Sequence, residues 1–288
     1  PSINPESVLI PAVTQYSGFP TQMQQLWTQA IFYFKMVIRE IPFIAIVFIG
    51  LADLIIGSFY FQKLYGTSSY PITANVLGLL NNFDTYFLII AVFYSGELIW
   101  KERVTNMHLI VDATPVADWV NLLAKFFGLM LVFLSLIMLL IGAGVLIQLA
   151  HGYTKFELPL YFKTLFTSTL AFLVLYTVLS FFVQVMANSK FVGFAMMFVF
   201  FILTFFMSAA GIEHPLAIFG SGSLDSYSDM NKYGHFFTSF TWIKLYWFLF
   251  VLFLFVIAVV LSVRGSEAIF KSRLKVGKLR LTRPILTL

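Results

Sequence analysis

The chain has 288 residues, of which 60% are hydrophobic and 11% charged, and its mean hydropathy is +0.90. That balance lies outside the range of water-soluble domains and predicts a polytopic membrane protein. The absence of cysteine excludes disulfides, thiolate nucleophiles and thiolate metal sites together, and the net charge of +5 sits beside apolar spans, where membrane topology accounts for it without nucleic acid.

The sequence opens at Pro1 without the basic, apolar and small-residue series of a signal peptide, and it reads as an excerpt or a processed product. Residues 1–20 are polar and proline-bearing, an irregular lead-in. Next, Trp27, Ile31, Phe34 and Ile38 recur at i, i+4, i+7 and i+11. This stripe predicts an N-terminal helix lying in the membrane interface, with Lys35 and Arg39 at headgroup level; a plain extension of the first span is the alternative. The first span covers residues 41–61, enough for about 30 Å of hydrocarbon. It carries Asp53 near its middle, where an ionised carboxylate costs at least about 2.5 kcal/mol, so this residue should face protein or water, as an interhelical or a pathway contact. Residues 62–81 read as a polar connection.

The second span, 83–99, ends in the charges Glu97, Lys101, Glu102 and Arg103. Val104, Met107, His108 and Val111 then follow at i, i+3, i+4 and i+7, predicting a short amphipathic lever from about 103 to 110. Thr114, Pro115 and Asp118 suit the cap, first position and first turn of the next helix. The third span, about 120–149, is longer than a bilayer needs. The fourth (161–185) and fifth (191–210) are joined by five residues and must be antiparallel. A loop over 211–240 precedes the sixth span, 240–263, and a basic tail. Of the 18 Lys and Arg, thirteen gather on the side that holds the lever and both ends, which makes that side cytoplasmic.

Two strings carry a resemblance. SGELIWKER at 95–103, followed by IVDATPVADW at 110–119 and by Lys125, and YSDMNKYGHF at 227–236, followed by Tyr246, Trp247, Arg264 and Gly265, resemble the transmembrane region of type-2 ABC exporter permeases. The similarity is to the bacterial branch whose longer chains carry a zinc aminopeptidase domain after the membrane region. It departs at Lys232, where the branch has a glycine after the asparagine. The resemblance implies a six-span all-helical bundle with a cytoplasmic coupling helix, over residues 21–265, with 266–288 as a basic cytoplasmic tail. It further implies a bacterial inner-membrane permease half that pairs with a second half, identical or fused, and with a cytoplasmic ATPase subunit. The chain itself would bind no cofactor, ATP and Mg being held by that partner. Glu97, Lys101, Glu102, Arg103, Val104, Met107 and Val111 would be the coupling residues, and Asp229, Asn231 and His235 would cap an exit route or contact a partner domain. From the residues alone, the charges read first as anchoring a span at the headgroups, and the loop is equally a surface turn.

Catalytic signatures are missing from the sequence. His108, His151, His214 and His235 are scattered, no phosphate-binding Gly-x-x-x-x-Gly-Lys-Ser/Thr run exists, and Ser221 between two glycines lacks the hydrolase pattern. Together with the resemblance, this makes the expectation a non-enzymatic permease without a metal, transporting an unidentified substrate. A non-transporting anchor for a peptidase domain is the alternative.

Overall fold

The computed structural model describes residues 18–60, 63–64, 67–68, 71–114, 116–187, 189–212, 214–222, 224, 227 and 230–262. Residues 1–17 of the lead-in, Pro115, Asp229 and the basic tail lie outside these, as does the side chain of Asp118, while Phe19 and Pro20, expected in the irregular lead-in, are already helical. The described architecture is helical: α1 (Phe19–Ile38), α2 (Ile41–Tyr60), α3 (Thr73–Leu80), α4 (Asp84–Val104), α5 (His108–Ala113), α6 (Asp118–Ala150), α7 (Leu158–Thr164), α8 (Leu170–Met186), α9 (Lys190–Ala209) and α10 (Phe236–Val260). A small antiparallel hairpin pairs Lys63–Leu64 with Thr67–Ser68.

Six helical stretches are long and apolar enough to cross a membrane: Ile41–Tyr60, Thr73–Val104, Trp119–Ala150, Leu158–Met186, Lys190–Ala209 and Phe236–Val260. This is the pattern of a multi-pass membrane protein. The second stretch begins well before the expected span, inside what reads as a polar connection. There α3 buries Val76, Leu77, Leu79 and Leu80, packs on α6 and α7, and continues through a 3-10 turn into α4. The sixth starts at Phe236 rather than 240, shortening the loop before it. Between α7 and α8 one π turn, Leu165–Thr169, keeps the axis continuous. The 33 residues of α6 extend about 50 Å, well beyond the hydrocarbon.

The central element is α4, packed against α2, α6, α8 and α9. Its Phe87, Ile90, Tyr94 and Leu98, with Phe83 of the preceding 3-10 turn, meet Phe133, Ile137 and Leu140 of α6 in the main core. Helix α1 lies along α6, but through Leu26, Ala30, Tyr33 and Val37 rather than the expected stripe. The seat is cut by Gly128, where a Cβ would come within 2.8 Å of the Tyr33 Cβ and 3.0 Å of the Ala30 carbonyl oxygen. Trp27 and Ile31, of the expected stripe, lie on the exposed side.

A second core joins Leu175, Tyr176 and Leu179 of α8, Met197 of α9 and Trp247, Val251 and Leu254 of α10 around Phe219. Phe219 belongs to the loop 214–222, which turns back into the bundle. Its neighbour Tyr176 is ten residues from the end of α8, about 15 Å along the axis, so irregular backbone reaches the middle of the helical layer. Backbone at such depth must find polar partners inside the protein. Here Lys244 Nζ donates to the Gly220 and Ser221 carbonyls at 2.7 and 3.1 Å. Trp247 Nε1 donates to the Pro215 carbonyl at 3.3 Å and the Tyr176 hydroxyl to that of Phe219 at 3.2 Å. Gly220 turns at φ +69°, with the Tyr176 ring 3.0 Å from where a Cβ would stand.

Candidate functional site

Three ion pairs fan out from the last turns of α4, at the end of the bundle that also holds Lys125 and Lys190. Glu97 pairs with Lys190 at the start of α9, Lys101 with Glu40 at the joint of α1 and α2, and Glu102 with Lys125 of α6 at 3.0 Å. Glu97 and Lys101, four residues apart and suited to pairing along their own helix, thus each reach across to another helix instead. The lysine of the third pair is buried, its side chain 6% exposed. Tyr33 of α1 donates its hydroxyl to Glu102 at 2.7 Å, with Asn121 Oδ1 3.3 Å away. Burial, and then the neighbouring Glu102 carboxylate, push the Tyr33 hydroxyl well above its ordinary pKa, so it stays a donor. Glu102 therefore ties α1, α4 and α6 together.

The lever is shorter and later than its spacing predicts. Helix α4 runs on through Val104, and Asn106 then adopts φ +56°. A left-handed residue just past the cap is a common helix stop, and asparagine tolerates it. The chain restarts as the six-residue α5, so 103–110 is a helix end, a sharp turn and a new helix start, and the expected stripe is split. Val104 and Met107 are exposed, whereas His108 and Val111 turn inward. Leu109 and Ile110 join the outer group, giving four large apolar side chains between 52% and 75% exposed at one tip. Thr114 caps the end of α5, its hydroxyl donating to the Val111 carbonyl at 2.6 Å, rather than the start of the next helix, whose N-cap is Ala117.

Behind α5 lies a polar cavity of about 80 Å³, lined among others by Glu102, Arg103, His108, Asp112, Lys125 and Gln184. It is large and polar enough to hold water. Two buried nitrogens on its wall, His108 Nδ1 and Gln184 Nε2, have no hydrogen-bond partner among the described residues. Gln184 accepts from Trp100 Nε1 at 3.0 Å. Its amide lies between two glycines: a Cβ on Gly193 of α9 would fall 2.2 Å from Oε1, and one on Gly96 of α4 2.8 Å from Nε2. Sequence reasoning passed over Tyr33, Glu40, Gln184 and Lys190. The readable signal was a lone glutamine in the last turn of an apolar span, beside glycines on two others.

The chain matches no family model and no curated protein. Its site is therefore read from geometry and from the two strings alone.

The remaining candidates do not converge on this end. Asp53 sits on an exposed face of α2. Asn231 and His235 are exposed at the opposite end, His235 lying against the Phe236 ring, while Asp229 is outside the described residues. The anchor of that loop is Tyr233, buried, bonded to the Thr164 hydroxyl and facing the Tyr227 ring. Lys232 takes up φ +54°, so the left-handed turn forms without the glycine that would ease it. Among the described residues no three His, Asp or Glu side chains stand close enough to hold a metal ion.

Proposed function

We propose that this chain is the transmembrane permease half of an ATP-driven type-2 ABC exporter of the bacterial inner membrane, with both ends of the segment cytoplasmic. It pairs with a second half, identical or fused, and a separate cytoplasmic subunit binds ATP and Mg and hydrolyses the nucleotide. The observation that carries this reading is the tip of α5. Val104, Met107, Leu109 and Ile110 present an apolar surface beyond a belt of ion pairs, where a soluble partner can cover them. The two strings that resemble such permeases support it from different residues, since they cover the ion-pair belt and the opposite loop.

In this mechanism the partner seats α5 in a groove and moves it as nucleotide is bound and released. The rigid route inward is Glu102, which joins the base of the lever to α6 through Lys125 and to α1 through Tyr33. The pairs of Glu97 and Lys101 carry α9 and α2 along with α4.

The test uses the full chain co-purified with the cytoplasmic ATPase subunit that this reading requires. Met107→Asp and Leu109→Asp are expected to cut permease-stimulated ATP hydrolysis about tenfold, the cost of burying an unpaired carboxylate at a contact. Amounts in the membrane should not change. Full stimulation in both variants, or reaction of a Met107→Cys thiol only from the non-cytoplasmic side, sinks the proposal and favours the anchor.

A further inference from the structure

Asp53 is a carboxylate within an apolar helix. It lies thirteen residues from Glu40, about 20 Å along the helix, and seven from Tyr60, about 10 Å. Its short side chain cannot reach either interface. Its face of α2 is open: Ile49, Ile56 and Tyr60, at i−4, i+3 and i+7, are all exposed. The other face is fixed, because a Cβ on Gly50 would fall 2.6 Å from the Phe83 ring, so α2 cannot rotate to hide the acid without losing its seat on α4. The Tyr86 hydroxyl donates a hydrogen bond to the carboxylate. Lipid on this face would cost several kcal/mol, as an acid facing hydrocarbon does.

None of the ion pairs among the described residues uses Asp53. The described lysines and arginines lie at the two ends of the bundle, except Lys244, which is buried and bonded to two loop carbonyls. Among the described residues Asp53 has no countercharge, which leaves that role open to a cationic ligand. Flanking isoleucines and the Tyr86 ring suit an apolar body, and an aromatic face favours a cation.

We infer that Asp53 and Tyr86 form a binding site for an organic cation with an apolar body, on the α2 face that lines the path between two permease halves. This rests on the paired-permease reading, which supplies the second wall. The test measures saturable binding of tetraphenylphosphonium, and of its size-matched anion tetraphenylborate, to the full chain in phosphatidylcholine nanodiscs, with empty discs subtracted. Wild type should bind the cation saturably and not the anion. Asp53→Asn should weaken binding at least about tenfold, as loss of one charge-assisted contact does, while Asp53→Glu stays within about threefold. Asn keeps the size of the side chain and an acceptor for Tyr86, so the fold should be no less stable, and a melting temperature of Asp53→Asn no lower than that of wild type checks this. Equal affinity in Asp53→Asn, no saturable cation binding by wild type, or competition by tetraphenylborate overturns the inference. The assay needs no ATPase, so a failure of the lever test with intact cation binding removes the exporter reading alone. Coupled hydrolysis without cation binding removes this site alone.

Discussion

At the scale of single residues, glycines decide what α4 touches. Gly96 and Gly193 admit the Gln184 amide from both sides, and Gly193 has no room for even one methyl group. Gly193→Ala should therefore overpack this joint and destabilise the protein by about 1–3 kcal/mol. Adding Gln184→Ala should recover most of that loss, giving a strongly non-additive pair in thermal melts of the detergent-solubilised chain. Additive effects would mean that the amide is not what the alanine strikes. Such packing is hard to foresee, because glycine is common in membrane helices and sequence does not say which one meets a side chain. Asn106 is different. An asparagine following a threonine at the end of a charged turn is a legible stop, yet the apolar spacing on either side reads straight through it, and the lever is consequently expected three residues too early at its C-terminal end. Lys232 shows the converse, a turn whose glycine is absent but whose backbone is still left-handed.

At the scale of elements, the ends of α4, α6 and α1 meet in one buried ion pair. Removing one partner of such a pair leaves a charge without compensation, whereas removing both is often close to neutral. Glu102→Leu and Lys125→Met should each destabilise by about 3 kcal/mol, and the double variant should regain most of the loss. Thermal unfolding of the four proteins measures the coupling. If the pair also transmits movement from α5, the double variant should be stable yet uncoupled, which separates its structural from its mechanical part. The spans themselves were legible because each is a near-continuous apolar run, and five of the six begin and end within a few residues of the expected positions. The exception, α3 with α4, hides behind asparagines and a short 3-10 turn that read as loop but pack against α6 and α7. The partners in the belt were not legible. Charge spacing along one helix favours Glu97 with Lys101, but Lys190 and Glu40 stand closer in space, and separations of 93 and 61 residues leave no local trace.

At the scale of the whole molecule, the two ends differ in kind. One is laced by ion pairs around a polar cavity and carries an uncovered apolar tip. The other is held by Tyr233, Lys163 and aromatic rings, with Lys163 lying over the Tyr233 and Phe237 rings. The candidate site is thus spread over helices far apart in sequence, so its charged residues could be named in advance but not their assembly.

The inward-turning loop has a consequence for biogenesis. Three of its four capped carbonyls take their donors from Lys244 and Trp247, which leave the ribosome only after the loop itself. A nascent chain that stops at residue 235 has nothing to hold that stretch among α8 and α9, so the stretch should remain on the aqueous side. Proteinase K added to inverted and right-side-out vesicles should cut such a truncated product within 211–222 and spare the product that extends past Trp247. Insertion of this protein is then not a simple succession of hairpins: its last helix acts as a latch that draws an earlier segment inside.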